Sequence, residues 1–270
     1  MRLERRDEAL GKTLKALITY NGAAPSKILQ LIGIVWILVF VIGWAGIAGP
    51  FIPSPLETFI ALKDYWLGGF AEDIKSSLVT VIEGTLLSIL FGLPLAYLVR
   101  VPLFRPLVEH IARTRFNGIS GILFALIVYL SGGHWLKVAI IVYGVTPYIL
   151  SSMAQVVISI PDTTFDYAKT LRMGTLEAVW EMVIVGEAYS VAVIVKQNIA
   201  MACLMLMVVE GLVRSEGGLG KLMADAAKFM NIANLYAIQF TIWGFGFALD
   251  QGLGFLIRKI FKHEFIGKER

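Results

Sequence analysis

Six stretches of this chain are nearly free of charge and run for 13 to 25 residues each: 26–47, 76–99, 118–130, 136–160, 187–209 and 235–257. A hydrocarbon core about 30 Å thick asks for about 20 apolar residues per helix. Only helices and closed barrels satisfy every backbone amide inside it. The runs are too long and too uniformly apolar to be barrel strands of about ten alternating residues. The expected fold class is therefore all-α, a polytopic membrane protein of about six transmembrane helices. The third run is the shortest, and only Gly132 and Gly133 part it clearly from the fourth. Five spans with a long hairpin is the open alternative.

Composition agrees with that reading. Of 270 residues, 57% are hydrophobic and 16% charged, whereas soluble domains carry about 25% charge. The single cysteine, Cys203, lies inside an apolar run and cannot form an intramolecular disulfide. The first 27 residues are polar and basic, without the short apolar core and small-residue cleavage site of a removable leader. The first membrane helix is expected to act as the targeting signal. The chain divides into an N-terminal arm (1–25), a membrane domain (26–260) and a tail (261–270).

Orientation follows from where Lys and Arg collect. The arm holds Arg2, Arg5, Arg6, Lys12, Lys15 and Lys27, the second loop Arg100, Arg105, Arg113 and Arg115, and the tail Arg258, Lys259, Lys262, Lys268 and Arg270. The first loop, 49–75, has only Lys63 and Lys75 against four acids. Six spans then put both termini on the cytoplasmic side of the cell membrane, together with the polar insert between the fourth and fifth runs. The basic excess is read as this topology signal, with no nucleic-acid partner.

That insert, 158–183, is a polar segment of about 25 residues between two long apolar runs. Pro161 and Asp162 end the preceding helix, since Pro lacks an amide hydrogen and Asp or Thr can cap a new helix. From Asp166 the pattern predicts a helix, a turn near Gly174 and a second helix from about Thr175 and Leu176. Ala168 is small enough for close approach. Lys169 and Arg172, three apart, share one face and are available to acidic groups.

At these residues the chain resembles the permease subunits of ATP-binding cassette importers. Their cytoplasmic loop reads E-A-A, three residues, G, then nine residues to I-x-L-P. Asp166 matches the acid, Tyr167 and Ala168 the pair, and Ile184 lies near the closing apolar position. Arg172 stands where the motif has glycine, with Gly174 two residues late, and Val185 stands where it has proline. The subgroup it is most similar to is the nitrate, sulfonate, taurine and bicarbonate type, over roughly 53–262. The similarity rests also on "IPSPLETFIAL" after the first span, on Ser77, Leu78 and Gly84 in the second, and on Lys196 and Glu210 fourteen apart in the fifth. The "GGLG" from Gly217 and Asp250 in the last span complete it.

The resemblance implies a type I importer-like permease fold with a coupling loop at 161–185. It implies an ATPase-coupling surface of Asp166, Tyr167, Ala168, Lys169, Leu171, Arg172 and Gly174. Partners would be two ATPase subunits that bind the ATP, a second copy of this permease or a paralogous one, and a periplasmic or extracellular solute-binding protein. The substrate class would be a small anion. Because the loop departs from the motif, pairing with a different permease is an additional expectation.

Lys196 and Glu83 are the candidate pathway residues. An ionised group at that depth costs about 2.5–3.5 kcal/mol, comparable to the gain from roughly six aliphatic residues. Lys196 either helps an anion across or pairs with a structural acid. Glu83, nearer the external end, either faces the passage or makes a packing hydrogen bond. Glu210 and Asp250 are read as span-end charges. Gly144 and Pro147 predict a kink, and Met201, Met205 and Met207 adaptable packing. His110, His134 and His263 are scattered, so no metal site is expected. Neither a His-Glu-x-x-His helix nor a G-x-x-x-x-G-K-[S/T] phosphate loop occurs. The chain is thus expected to be non-catalytic and to hold no cofactor itself. The alternative function is a membrane scaffold or receptor subunit that recruits a cytoplasmic partner without transport.

Overall fold

A computed structural model describes residues 26–213 and 217–264. The arm 1–25, the tail beyond 264 and the basic residues predicted within them lie outside the described residues. Two units divide between Ile60 and Ala61.

In the first unit α1 covers Ser26–Ile47, the bounds expected from the apolar run. A tight turn follows, closed by paired backbone bonds between Gly49 and Ile52 and by the Trp44 indole donating to the Pro53 carbonyl at 2.9 Å. The "PSPLE" stretch then starts α2, Pro55–Leu67, which spans the division between the two units. The Ser54 amide donates to Glu57 Oε2 at 2.8 Å, and the Glu57 amide to Ser54 Oγ at 3.2 Å. This reciprocal capping box, with Pro55 in the first helical position where a missing amide costs nothing, accounts for that motif locally.

The second unit is a helical bundle of α3 (Phe70–Tyr97), α4 (Arg105–Arg113), α5 (Ile119–Leu130), α6 (His134–Ser159), α7 (Asp162–Thr170), α8 (Thr175–Ala178), α9 (Ala188–Val213), α10 (Leu219–Lys228) and α11 (Ile232–Ile260). Its central contact is α3 on α6. Gly84, Ser88, Gly92 and Ala96 recur every four residues, all buried on one stripe of α3. A Cβ on Gly84 would lie 2.6 Å from Ile141 Cγ2, and one on Gly92 3.3 Å from Ile149 Cγ2. Small residues at i, i+4 spacing let two backbones approach this closely, where dispersion and not the hydrophobic effect must hold membrane helices together.

These contacts also fix direction. Gly84 meets Ile141, Gly92 meets Ile149 and Arg100 meets Val157, a constant offset of 57 residues, so α3 and α6 run parallel. Helix α9 runs opposite to both, since Ser77 near the start of α3 meets Glu210 near the end of α9. Lys196 near the start of α9 meets Asp250 in the second half of α11, so α11 again runs with α3 and α6. One end of this unit therefore gathers Arg100, the end of α6, α7 and the end of α11. The other gathers the starts of α3 and α6, the end of α9 and α10.

The parallel pair requires the chain to return from Arg100 to His134. Among the described residues, five helices are long and apolar enough to cross a membrane by themselves. The expected third span, 118–130, is not one of them. Helix α5 has 12 residues, about 18 Å at 1.5 Å per residue. The return is shared with α4, and the two are bent by 100°. Val108 of α4 packs in the cluster of Leu150, Met153 and Val157, while Leu123 and Leu126 of α5 pack on Leu136 and Ile140. Of the six expected spans, five are long helices among the described residues, and the short third is replaced by a bent pair of helices that passes as a span only when the two are taken together.

Helix α6 continues through Pro147 as one element. A Cβ at Gly144 would lie 3.1 Å from Met205 Sδ, which makes Gly144 and Met205 a packing pair.

Candidate functional site

The polar insert lies at the Arg100 end of the second unit. Helix α7 starts at Asp162, not Asp166, with Pro161 as its cap residue and no side-chain cap bond. The capping role expected of Asp162 is taken up elsewhere, because its carboxylate pairs with Arg100 at 3.1 Å.

Arg100 mounts the insert. Its Nε donates to the Val157 carbonyl at 3.0 Å, and Nη2 donates to the carbonyls of Ile158, at 3.0 Å, and Ile160. Its guanidinium carbon lies 4.8 Å from the Phe165 ring centroid of α7. One planar fork thus satisfies carbonyls that the end of α6 leaves without helical partners and adds a stacked aromatic contact. It ties the ends of α3 and α6 to α7. Beside it, a cavity of about 430 Å³ is lined chiefly by apolar side chains, among them Tyr97, Val157, Phe165, Met173 and Val183.

The residues expected to form a coupling surface divide between two sides of α7. Ala168 is 1% exposed and packs inward, so it belongs to the seat and is closed to a partner in this conformation. Tyr167, 60% exposed, and Leu171, 49%, point out. Lys169 donates to Asp166 Oδ1 at 2.8 Å on the surface. That hydrogen bond, then the carboxylate's charge, hold the Lys169 ammonium above its usual pKa. Arg172 is exposed.

The turn falls at Arg172, two residues earlier than the turn expected near Gly174. Arg172 has φ 57°. Its amide donates to the Lys169 carbonyl at 2.9 Å, and that of Met173 to the Ala168 carbonyl at 3.1 Å. This is a Schellman ending, in which the left-handed residue is usually glycine. The position where the importer motif carries glycine is thus a position whose backbone favours glycine. Gly174 instead opens α8, its amide donating to Glu177 Oε2 at 3.2 Å. Arg172→Gly should relieve a left-handed cost of about 1–2 kcal/mol, partly offset by the more flexible unfolded chain. Amide exchange at Met173 should slow about fivefold, corresponding to a net gain of about 1 kcal/mol. Arg172→Ala should leave it nearly unchanged, and equal slowing in both variants would refute the backbone account.

After α8 the chain makes a π-helical stretch, Val179–Val185, with the Gly186 amide bonded to the Glu181 carbonyl at 3.0 Å. A Cβ at Gly186 would sit 2.5 Å from the Met182 carbonyl oxygen. With Val185 where the motif has proline, the helix runs on toward α9 in this wider register.

The candidate pathway residues are both paired. Lys196 Nζ lies 3.1 Å from Asp250 Oδ1, with side chains 28% and 54% exposed. Lys196 stands eight residues into α9 and Asp250 ten residues before the end of α11, roughly 12 and 15 Å from those ends. Glu83 Oε2 lies 2.5 Å from His134 Nε2 at the opposite end of the unit. The expected acid partner of Lys196 is therefore Asp250, which the sequence reading left as a separate span-end charge.

One cluster was missed. Lys137 and Glu210 are both fully buried, with Lys137 Nζ 3.9 Å from Glu210 Oε1. Glu210 accepts from Ser77 Oγ at 3.0 Å and from the Gly220 amide at 2.9 Å, while Lys137 donates to the Gly217 carbonyl at 2.9 Å. Ser77 Oγ also accepts from the Leu219 amide at 3.0 Å, and Asp73 Oδ1 from the Gly218 amide at 2.8 Å. This clasp folds the "GGLG" loop over the ends of three helices. Its glycines are required by closeness, since a Cβ on Gly218 would lie 2.2 Å from Glu210 Oε1 and one on Gly220 2.5 Å from the Met207 carbonyl oxygen.

In comparisons with known proteins, neither a family model nor a curated protein matches this chain.

Proposed function

We propose that this chain is a membrane-spanning permease subunit of an ATP-binding cassette importer, and that α7 is the helix through which it meets a separate ATPase subunit. The observation that carries this reading is α7 itself. It is a short helix outside the spans, mounted on two membrane helices by Arg100, ending in a left-handed turn at the residue aligned with the motif's glycine. Tyr167 and Leu171 form its outward apolar surface. On this reading the Arg100 end is cytoplasmic, consistent with Arg100, Arg105, Arg258, Lys259 and Lys262 gathering there.

ATP is bound by two partner ATPase subunits, and their closure moves α7 and, through Arg100, the ends of α3 and α6. A second permease, identical or paralogous, completes the passage, and a solute-binding protein delivers a small anion from the opposite side. Lys196 and Asp250 lie on the passage, because a half-exposed ion pair that deep needs polar surroundings.

The test is co-purification with candidate ATPase subunits of this class. Tyr167→Asp and Leu171→Asp, both on exposed positions, should abolish co-purification and the ATP hydrolysis it supports while leaving the chain's thermal unfolding unchanged. Retention of the ATPase in both variants, or no ATPase bound to the wild type, would shift the reading to a scaffold that recruits another cytoplasmic partner.

A further inference from the structure

The cavity beside Arg100 lies between α7, its seat and the stretch that follows α8, and neither Tyr167 nor Leu171, the outward apolar residues of α7, lines it. Its floor is closed by Val157, Ala168 and Val183, which are 0%, 1% and 3% exposed. Ala168 on α7 and Ala178 at the end of α8 carry only a methyl group, and a longer apolar side chain at either position would take up the space. Val179 and Val183 come from the π-helical stretch, a rare geometry that recurs at functional sites. At about 430 Å³, the cavity falls in the range of roughly 300–1,000 Å³ that holds small molecules in mostly apolar linings with a few placed polar groups.

The lining also selects the charge of the ligand. The two ionised side chains that border the cavity, Arg100 and Lys169, are both cations, and no carboxylate lines it among the described residues. Arg100 is committed to the α6 carbonyls and to Asp162. Lys169 has three hydrogens to give and donates to Asp166 on the surface, where such a pair is worth little. Its side chain is 78% exposed, so the ammonium stands where the cavity meets water and can take a second anionic partner. An apolar interior with a cation at its mouth fits a molecule with a hydrocarbon body and one acidic head. We infer that this cavity is a binding site for a small amphiphilic monoanion of the medium-chain carboxylate kind, its body on Val157, Phe165 and Val183 and its carboxylate on the Lys169 ammonium. Such a ligand touches α7, the ends of α3 and α6 and the π-helical stretch at once. It holds α7 on its seat while leaving Tyr167 and Leu171 uncovered. Binding is independent of what the chain transports; on the reading of α7 as the helix that meets an ATPase, the bound ligand regulates coupling.

The experiment follows amide exchange of the full chain in phosphatidylcholine nanodiscs with added decanoate, or with decanol, which has the same chain length and no charge. At about ten times its dissociation constant, a ligand that binds only the seated α7 slows local opening about tenfold. Decanoate should do so across 162–173, decanol should do less, and neither should change exchange in α10 at the opposite end. Ala178→Leu, which fills the cavity, should abolish the slowing. Lys169→Gln, on an exposed position, should bring decanoate down to the level of decanol and tests the site even if Ala178→Leu folds poorly. No slowing by decanoate, equal slowing by decanoate and decanol in the wild type, a decanoate preference that survives Lys169→Gln, slowing that persists in folded Ala178→Leu, or slowing shared by α10 would each overturn the site.

Discussion

Glu210→Ala should destabilise the chain by about 2–6 kcal/mol, because two buried donors lose their acceptor and a buried ion pair loses its carboxylate. Lys137 is fully buried and 3.9 Å from Glu210, and the Ser77 hydroxyl and Gly220 amide direct their hydrogens at the same carboxylate. Each donor left unpaired carries its own desolvation penalty of about 1–3 kcal/mol. Against a total stability of about 5–15 kcal/mol, the loss is a large fraction. Glu210→Gln keeps the shape and two acceptor sites and should lose less. Replacing both partners, Glu210→Met with Lys137→Met, should recover part of the loss, because the apolar pair leaves no buried charge. Thermal unfolding in detergent reads the global effect. Amide exchange at Leu219 and Gly220 reads the local one and should rise in Glu210→Ala before the bundle opens. An unchanged midpoint in Glu210→Ala would mean that the clasp is ornament and that α10 is held by Phe70, Leu219 and Ile238 alone.

The same residues show where the sequence was legible and where it was not. Apolar length located the helices well: α1 has the expected bounds, and α6, α9 and α11 differ from expectation by a few residues at each end. Membrane helices advertise themselves by composition, and their ends by the return of charge. The Gly84, Ser88, Gly92, Ala96 stripe was readable too, since small residues every four positions in an apolar run point to close helix packing. Only Gly84 had been noticed, as part of a resemblance. Lys137 and Glu210 were not legible as a pair. They lie 73 positions apart on different helices, each near a span end, where charge is expected to reach headgroups. What buries them is the "GGLG" loop, and its path depends on the carboxylate it covers. The run 118–130 supplied apolar character but not length, which is why five spans with a long hairpin stayed open beside six, and α4, which packs beside it on α6, carries arginines and reads as a loop. In the insert, the departure at Arg172 looked like a weakened motif. The backbone there adopts the glycine-like conformation all the same, because the Schellman hydrogen bonds that close this helix need it whichever side chain is present.

Arg100→Ala separates two things that the proposed coupling role asks of the insert, which are to present a surface and to be firmly seated. The substitution removes the donor to the carbonyls of Val157, Ile158 and Ile160, the pair with Asp162 and the stack on Phe165. It leaves Tyr167 and Leu171 untouched. Hydrogen bonds from a charged donor are worth about 1.5–3 kcal/mol, and the Asp162 arm, on a 92% exposed carboxylate, adds little. The seat should therefore loosen by about 2 kcal/mol, which raises amide exchange across 162–173 about thirtyfold. Arg100→Lys should restore only part of it, since a point charge cannot reach three carbonyls and a ring together. If α7 transmits force as proposed, an ATPase should still bind the Arg100→Ala chain but hydrolysis should no longer drive solute movement. That outcome is distinct from Leu171→Asp, where binding itself is lost. Unchanged exchange in Arg100→Ala would assign the seat to Ala168 and Phe165 packing. Exchange that rises while solute movement persists would show that α7 need not be rigidly mounted to work. Force passed from a short surface helix to two membrane helices requires a stiff joint, and Arg100 touches all three.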